Sequence, residues 1–415
     1  MMRLPVVGEP KHAVPISTYV VKLVSRCNLN CSYCYMYNLA DQTYRSQPAI
    51  MREEVTAAMC RRILSHAGRH GVAGVHIIAH GGEPLLLGRQ RFHAWVEQVR
   101  LTLDQGGVSS CFTVQSNGVL IDDAWIELLA ELSVRVGLSI DGPKRFHDRH
   151  RVDHQGRGSF DDVVTAIRRL QAHRLGPGIF ANVLAVINTD IPPREMFDLW
   201  QFLDVPGLEV NLPHANHAHA PPSGAVSHGD WMIEFFDLWF EQNRPDRHVR
   251  YFENILRLLF GHPMSTDNIG GKPVGAIIIE TDGGIEPTDA FKCCENGITK
   301  LGINVLRNEI DEAYRSSILR TMLGGVSELC AQCRACELRD VCGGGYMPHR
   351  FSRERRFDNP SVYCPDLLKL IHHIRRRVID SLPPHLLAVA AGRATACEAG
   401  GRADERRDTE RAERA

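Results

Sequence analysis

The sequence predicts an α/β protein: a partial, open barrel of six strand–helix units, followed by a smaller cysteine-rich domain. Three observations predict it. Short β-branched or apolar runs alternate six times with amphipathic helical stretches between residues 18 and 212. That pattern implies parallel strands joined by right-handed crossovers, and six units fall short of a closed eight-fold barrel. Polar clusters also sit directly after strands: Cys27 to Cys34, Gly81-Gly82-Glu83-Pro84, Gln115-Ser116-Asn117-Gly118 and Ser139-Ile140-Asp141-Gly142. Loops at the carboxyl ends of barrel strands converge on one face and build the site there. Finally, the alternation ends after Leu212, and five cysteines gather between Cys330 and Cys364.

Taken in order, residues 1–17 form a Pro-rich N-terminal extension. Thr18 to Val24 alternates and is β-branched, so it reads as a strand running into the first cysteines. Glu53 to His70 carries Val55, Met59 and Ile63 on one helical face. Val75 to Ala79 is a buried-type strand. Arg89 to Leu103 is a helix with Phe92, Trp95, Val96, Val99 and Leu103 at helical spacing. Cys111 to Gln115 is a strand, and Asp122 to Leu132 is a helix with an Asp start signal. Val134 to Ile140 is a strand, and Ser159 is expected to cap a helix reaching His173. Ile179 to Ile187 is a strand; Pro192 to Leu203 is a helix whose prolines suit a first turn. Leu208 to Leu212 is the sixth strand. The barrel domain is therefore placed at 18–228.

Gly229 to Asn243 and Arg250 to Phe260 read as helices of a linker region, 229–275. Ala276 to Thr281 and the run from Ile285 form a hairpin around Asp282-Gly283-Gly284. They open a domain at 276–382 that closes with a helix over Leu367 to Leu382. The stretch 383–415 is Ala/Gly-rich and then alternates Arg, Asp and Glu, the composition of a disordered charged tail.

The chemistry begins at Cys27-x3-Cys31-x2-Cys34, with Tyr33 and Tyr35 flanking the third cysteine. Three thiolates this close call for a metal. Structural zinc and cubane iron–sulfur clusters both take four ligands, and no fourth cysteine follows within the next two dozen residues. The site therefore keeps one position for a non-protein ligand, or borrows a distant fourth ligand as a zinc knuckle. The glycines of GGEP allow close backbone approach, and Glu83 is suited to accept from an ammonium. Ser139, Asp141 and Arg151, with Gln115 and Asn117, form a polar lip; an arginine is apt for a carboxylate. His214, His217 and His219 follow the sixth strand and are candidates for substrate or metal contact.

The three-cysteine motif, backed by these strand-end clusters, resembles the radical SAM superfamily. The resemblance covers roughly residues 18–370. It implies a partial (β/α)6 TIM-like radical SAM barrel, with a [4Fe-4S] cluster on Cys27, Cys31 and Cys34 whose open iron binds S-adenosylmethionine (SAM). One electron then releases a 5'-deoxyadenosyl radical that takes hydrogen from carbon. Tyr33, Gly81, Gly82, Glu83, Gln115, Asn117, Ser139 and Arg151 are the implied cofactor contacts; His80 stands where many relatives carry Gln. The second cysteine group resembles the SPASM domain, a C-terminal iron–sulfur domain that carries auxiliary clusters. Cys333, Cys336, Cys342 and Cys364 match one cluster's ligands, with Cys330 as an extra candidate. Tyr346 stands at the fourth SPASM cysteine position, and the upstream cysteine is absent from Pro287-Thr288-Asp289. One auxiliary [4Fe-4S] cluster is therefore implied, unless Cys293 and Cys294 rescue a second. A zinc ribbon is the alternative for this group.

More narrowly, Arg26 to Asn38, Asn211 to Ala215, Ile279 to Gly283, Cys342 to Gly345 and Asp358 to Cys364 resemble maturases of FxS-type precursors, which form three-residue cyclophanes. That resemblance implies a cross-link between an aromatic ring and the β-carbon of a nearby residue. Asp289 is the implied general base, the partner is a ribosomally made precursor peptide, and an external one-electron reductant is required. A separate leader-recognition protein is a further candidate partner. The alternatives are thioether formation, Ser/Cys oxidation as in sulfatase maturation, or a non-catalytic zinc-stabilised peptide-binding protein.

Bulk properties exclude other classes. The 48 basic and 49 acidic side chains leave a net charge of -1, which gives no electrostatic case for nucleic acid or an anionic membrane. No apolar run approaches the ~18 residues of a spanning helix. The first residues lack a signal-peptide h-region, and the 13 cysteines cluster at metal-like spacings. A reducing, cytoplasmic setting is the expectation.

Overall fold

The computed structural model describes residues 14–205, 207–264 and 266–383. The first thirteen residues of the N-terminal extension and the charged tail from 384 lie outside them. Among the described residues, nine strands form one sheet: β1 (Thr18–Val24), β2 (Gly74–Gly81), β3 (Ser109–Ser116), β4 (Val134–Ser139), β5 (Phe180–Val186), β6 (Gly207–Asn211), β7 (His248–Val249), β8 (Ala276–Ile279) and β9 (Ile285–Glu286). Their order is β7-β6-β5-β4-β3-β2-β1-β8-β9. Every neighbouring pair from β7 to β8 is parallel, and only β8 and β9 pair antiparallel. The six predicted strands are all present in the predicted order, and the barrel is open.

The sheet does not stop at the expected domain boundaries. β7 comes from the region read as a linker, and β8 pairs with β1 at Thr18↔Ala276 through Val21↔Ile279. The cysteine-rich part thus grows out of the barrel sheet itself. Its last helix, Cys364–Ser381, lays Leu367, Leu370, Ile371 and Ile374 into the core. It also pairs Lys369, His373 and Arg377 with Asp230, Asp237 and Glu241 of the helix His228–Gln242.

The connecting helices follow the predicted faces. α1 (Glu53–His70) has Glu53 and Glu54 in its first turn and Gly71 in the left-handed conformation at its end, as the helix dipole and C-cap rules favour. α2 (Arg89–Gln105) buries Phe92, Trp95, Val96, Val99 and Leu103. In α3 (Asp123–Glu131), the Asp122 side chain accepts from Trp125 N–H. The short α4 (Lys144–His150) has no sequence forecast, and α5 (Phe160–Ala172) follows it. The expected Ser159 cap is corrected: its hydroxyl donates to Arg151 C=O at 2.8 Å. Asp148 accepts the Phe160 N–H at 2.9 Å instead. Cys111, in β3, is exposed. Among the described residues, no helix is long and apolar enough to cross a membrane.

Two polar clusters lock the layers. His66 is fully buried and donates from Nδ1 to Asp311 (2.6 Å) while its Nε2 accepts from Ile16 N–H (3.0 Å). His70 Nε2 lies 2.8 Å from the same carboxylate oxygen. His66, His70 and Asp311 are the group among the described residues whose metal-capable atoms lie within 4.8 Å of one another. Because His66 Nε2 accepts, Nδ1 carries the proton, and the trio is a hydrogen-bonded clasp between α1 and the C-terminal half.

The second is His147 in α4, fully buried, whose Nδ1 accepts from Asp141 N–H (3.2 Å) and whose Nε2 faces Ser159 Oγ (3.1 Å). Burial lowers its pKa to about 4, against about 6.5 in the unfolded chain. The unfolded state therefore binds an extra proton between these values. The associated stability is complete above pH 6.5 and is lost as pH falls toward 4, up to about 3 kcal/mol. Thermal melts from pH 7 to 4 should show this loss, and His147→Asn should flatten the slope by close to one proton.

Candidate active site

A cavity of about 370 Å³ opens at the carboxyl ends of the strands. The loop after β1 gives it Cys27, Cys31, Tyr33, Cys34 and Tyr35; β2 gives His80, Gly81 and Gly82; β3 gives Gln115, Ser116 and Asn117. Ser139, Arg151, His214, Asp289, Tyr346 and His349 complete most of the polar wall. The strand-end clusters converge, as parallel barrel topology requires.

The two glycines of GGEP are dictated by crowding. Gly81 has φ +153°, and a Cβ there would strike Val24 C=O; one at Gly82 would strike Arg26 C=O and the Tyr37 hydroxyl. Glu83 is turned into the protein, away from the cavity. It is fully buried and accepts from Leu85 N–H (3.1 Å), Ser116 Oγ–H (3.0 Å) and Asn117 N–H (2.8 Å). It fastens the end of β2 to that of β3. Burial raises its pKa to about 7, against the pull of those donors.

The other implied SAM contacts face the cavity. Gln115 Nε2 donates to Ser139 Oγ at 3.0 Å. Asn117 Nδ2 donates to Asn28 Oδ1 at 2.8 Å and lies 3.8 Å from Cys27 Sγ. Arg151 donates to Tyr33 Oη at 2.8 Å and to Asp141 Oδ2 at 3.4 Å, and Tyr33 donates to the same Asp141 oxygen. Asp141 therefore positions the arginine and the tyrosine. Arg151 Nε is buried without a hydrogen-bond partner, an orphaned donor suited to an incoming carboxylate.

Asp289 sits in the 3-10 turn after β9 and reaches the cavity across the sheet. Lys22, from the middle of β1, donates to its Oδ2, and Tyr35 Oη–H donates to the same oxygen at 3.1 Å. Lys22 Nζ also donates to His80 Nδ1 at 3.0 Å. Burial pushes the Asp289 carboxyl up, but the Lys22 ammonium together with His80 and Lys292 outweighs it and holds the group ionised well below the usual range. Sequence reasoning missed Lys22, although a lysine inside an apolar β-branched strand was its signal. It also missed His349, and the Glu209–Arg250 ion pair at the far end of the cavity. Of the three loop histidines, His214 lines the cavity, while His217 Nε2 donates to Pro360 C=O at 2.9 Å.

Both cysteine groups suit iron–sulfur clusters. Burial raises Cys27 to about 12 and Cys34 to about 11, and raises Cys31 as well. Thiols so placed ionise only when a metal supplies the countercharge. Among the described residues, neither group gathers three sulfurs within 4.8 Å. A single tetrahedral zinc, with bonds of about 2.3 Å, requires tighter packing than that. In the second group, burial raises Cys333 to about 12, with Cys330, Cys342 and Cys364 adding to the effect. Cys342 is raised to about 11 by burial, and the N–H groups of Gly344 and Gly345 pull it back. Cys336 acts on both Cys342 and Cys364. Cys293 and Cys294 stand apart in a separate apolar cluster with Phe291, Met347, Phe351 and Phe357.

An open parallel barrel with a three-cysteine loop at its carboxyl mouth is the radical SAM fold, and residues 21–199 match the Radical SAM superfamily. The family implies a SAM-binding [4Fe-4S] cluster. More particularly, the chain is similar to the cysteine-type anaerobic sulfatase-maturating enzyme of Clostridium perfringens. The two are 25% identical over 379 residues, spanning 88% of this chain and 98% of that protein. It is also 25% identical over 354 residues to the serine-type enzyme of Klebsiella aerogenes, covering 84% and 83% of the two chains. Among solved structures, native anSMEcpe with bound AdoMet and Cp18Cys peptide shares the fold: TM-score 0.73, 23% identity, 88% of this chain and 98% of that one.

Anaerobic reconstitution should load about eight irons per chain, two four-iron clusters. Replacing Cys27, Cys31 and Cys34 with Ala should halve that and abolish 5'-deoxyadenosine formation. Iron assay and chromatography read both; stoichiometric zinc without iron would contradict the assignment.

Proposed function

We propose that this chain is a radical SAM enzyme that oxidises the β-carbon of a residue in a peptide substrate. The best-supported form is conversion of Ser or Cys to formylglycine, as in sulfatase maturation, since the relatives it matches over most of its length are named cysteine-type and serine-type anaerobic sulfatase-maturating enzymes. The observation that carries the reading is the placing of Asp289 in the same cavity wall as Cys27, Cys31 and Cys34. When bound, the cluster and SAM supply a radical able to take a hydrogen atom from an unactivated carbon. This chain's residues then do the rest. Arg151, Ser139 and Gln115 are suited to hold the cofactor's carboxylate and ribose. Asp289, already ionised, takes the proton released as the substrate carbon loses its second electron. Lys22 and Tyr35 aim the carboxylate oxygen, and Glu83 keeps the wall rigid.

A second reading is favoured by one observation: Thr288 and Tyr346 occupy positions where the SPASM pattern has cysteines. This departure from a two-cluster arrangement favours the cyclophane-forming branch. There the carbon radical adds to a nearby aromatic ring, and loss of one electron and one proton restores aromaticity. Both readings demand a base at the site and an electron acceptor beyond it.

Mass spectrometry separates them. Incubated with SAM, reductant and peptide, the enzyme should remove two hydrogens from a Ser-containing peptide and create an aldehyde that reacts with hydrazine. A loss of two hydrogens without an aldehyde, on a peptide with a neighbouring aromatic residue, would select the cross-link. Asp289→Asn should cut product formation by about 10²-fold or more, the range for a lost general base, while 5'-deoxyadenosine is still released. A wild-type rate in that variant would remove Asp289 from the mechanism.

A further inference from the structure

The substrate end of the cavity and the second cysteine group are bridged by aromatic rings. Tyr35, which touches Asp289, packs edge-on against His214 at 4.9 Å between ring centroids. His214 meets Tyr346 at 6.2 Å, Tyr346 meets His349 at 5.2 Å, and His349 meets Tyr363 at 4.8 Å. Tyr363 immediately precedes Cys364 in the chain. All four contacts fall within the range of favourable aromatic packing. The middle rung is the residue standing where the SPASM pattern has a cysteine. Its phenol is hydrogen-bonded to Thr288, which stands where the pattern has another. The two altered ligand positions are therefore joined to each other, and the Tyr346 ring fills the ladder between the reacting centre and Cys364.

We propose that Tyr35, His214, Tyr346, His349 and Tyr363 form the path along which the substrate's second electron reaches the auxiliary iron–sulfur cluster of the Cys330 to Cys364 group. This rests on the proposed oxidation. The step balances: the substrate carbon radical gives one proton to the Asp289 carboxylate and one electron to the oxidised cluster, leaving a closed-shell product and a cluster reduced by one electron. No bond in the rings is made or broken, because packed π-systems act as the medium for tunnelling and are never themselves oxidised. The requirement is therefore for a ring at each rung, not for a phenol. Tyr35 is where the two routes divide, since its hydroxyl touches the proton acceptor and its ring begins the ladder.

The test uses reconstituted holoenzyme with SAM and a peptide that the wild type oxidises. Stopped-flow absorbance follows reduction of the auxiliary cluster, and freeze-quench EPR follows the carbon-centred radical. Tyr346→Phe, which keeps the ring, is expected to reduce the cluster several-fold faster than Tyr346→Leu. Tyr346→Leu is expected to reduce the cluster several-fold more slowly, to accumulate the radical, and to release more 5'-deoxyadenosine per product. Tyr363→Leu, at the far end and away from the Thr288 hydrogen bond, is expected to do the same, which separates the path from local unfolding at Tyr346. A redox titration should give the same cluster midpoint in each variant. Leucine variants that reduce the cluster at the wild-type rate would overturn the path, as would a phenylalanine variant as slow as leucine. A change confined to peptide KM would instead make Tyr346 a substrate contact and also overturn it. A wild-type enzyme that modifies no peptide would sink the proposed function, whereas normal modification with unaffected leucine variants sinks the ladder alone.

Discussion

The ion pair between Lys22 and Asp289 holds the two halves of this protein to one purpose. Lys22 is 1% exposed and lies in β1, flanked by β2 and β8; Asp289 follows the hairpin that leaves the barrel sheet. Taking both charges out of water is costly, and removing either partner of such a pair typically costs about 3–5 kcal/mol. The structure offsets the cost with His80 on the lysine and Tyr35 on the carboxylate. A second buried set repeats the device nearby: Lys292 pairs with Glu280 and Glu286, and Glu286 also with Lys300. The Lys22 pair fixes the C-terminal region to the barrel mouth, so Asp289 arrives from outside the six βα units that build most of the wall.

The division of labour across the cavity follows from strand geometry. Parallel strands send every carboxyl end to the same face, so groups far apart in sequence meet without long loops. The glycines of GGEP let the second strand's end approach the first, Glu83 ties it to the third, and Asp141 orients Arg151 beside Tyr33. Arg151 and Asp289 on the cavity wall are each held by a neighbour, Asp141 and Lys22, that is not part of the wall. Such backing is what keeps a site within the small tolerances that chemistry requires.

Much of this was legible in the sequence. The alternation of strand and helix gave the open parallel sheet because hydrophobic periodicity is local and each unit repeats it. Most of the cavity wall was legible for the same reason: its residues sit at strand ends, and topology alone brings strand ends together. Glu83 escaped this logic. A carboxylate after a strand looks ready for a ligand, and only the directions of three donors turn it inward. Ser159 misled in the same way, since its hydroxyl found a carbonyl before it found the helix. The pairing of β8 with β1 was not legible, because β8 is four residues long and the pairing spans a sequence separation that no periodicity reports.

By itself the sequence determined the class of chemistry: three thiols at one spacing, and a second group whose pattern lacks two ligands. Those are properties of residue identity and local spacing. The tertiary structure alone decided that Lys22 faces Asp289, that Thr288 and Tyr346 bond to each other, and that five rings line up between the reacting centre and Cys364. Each depends on side chains from distant segments meeting at a set angle. That is fixed by how the layers pack rather than by any one segment's preference.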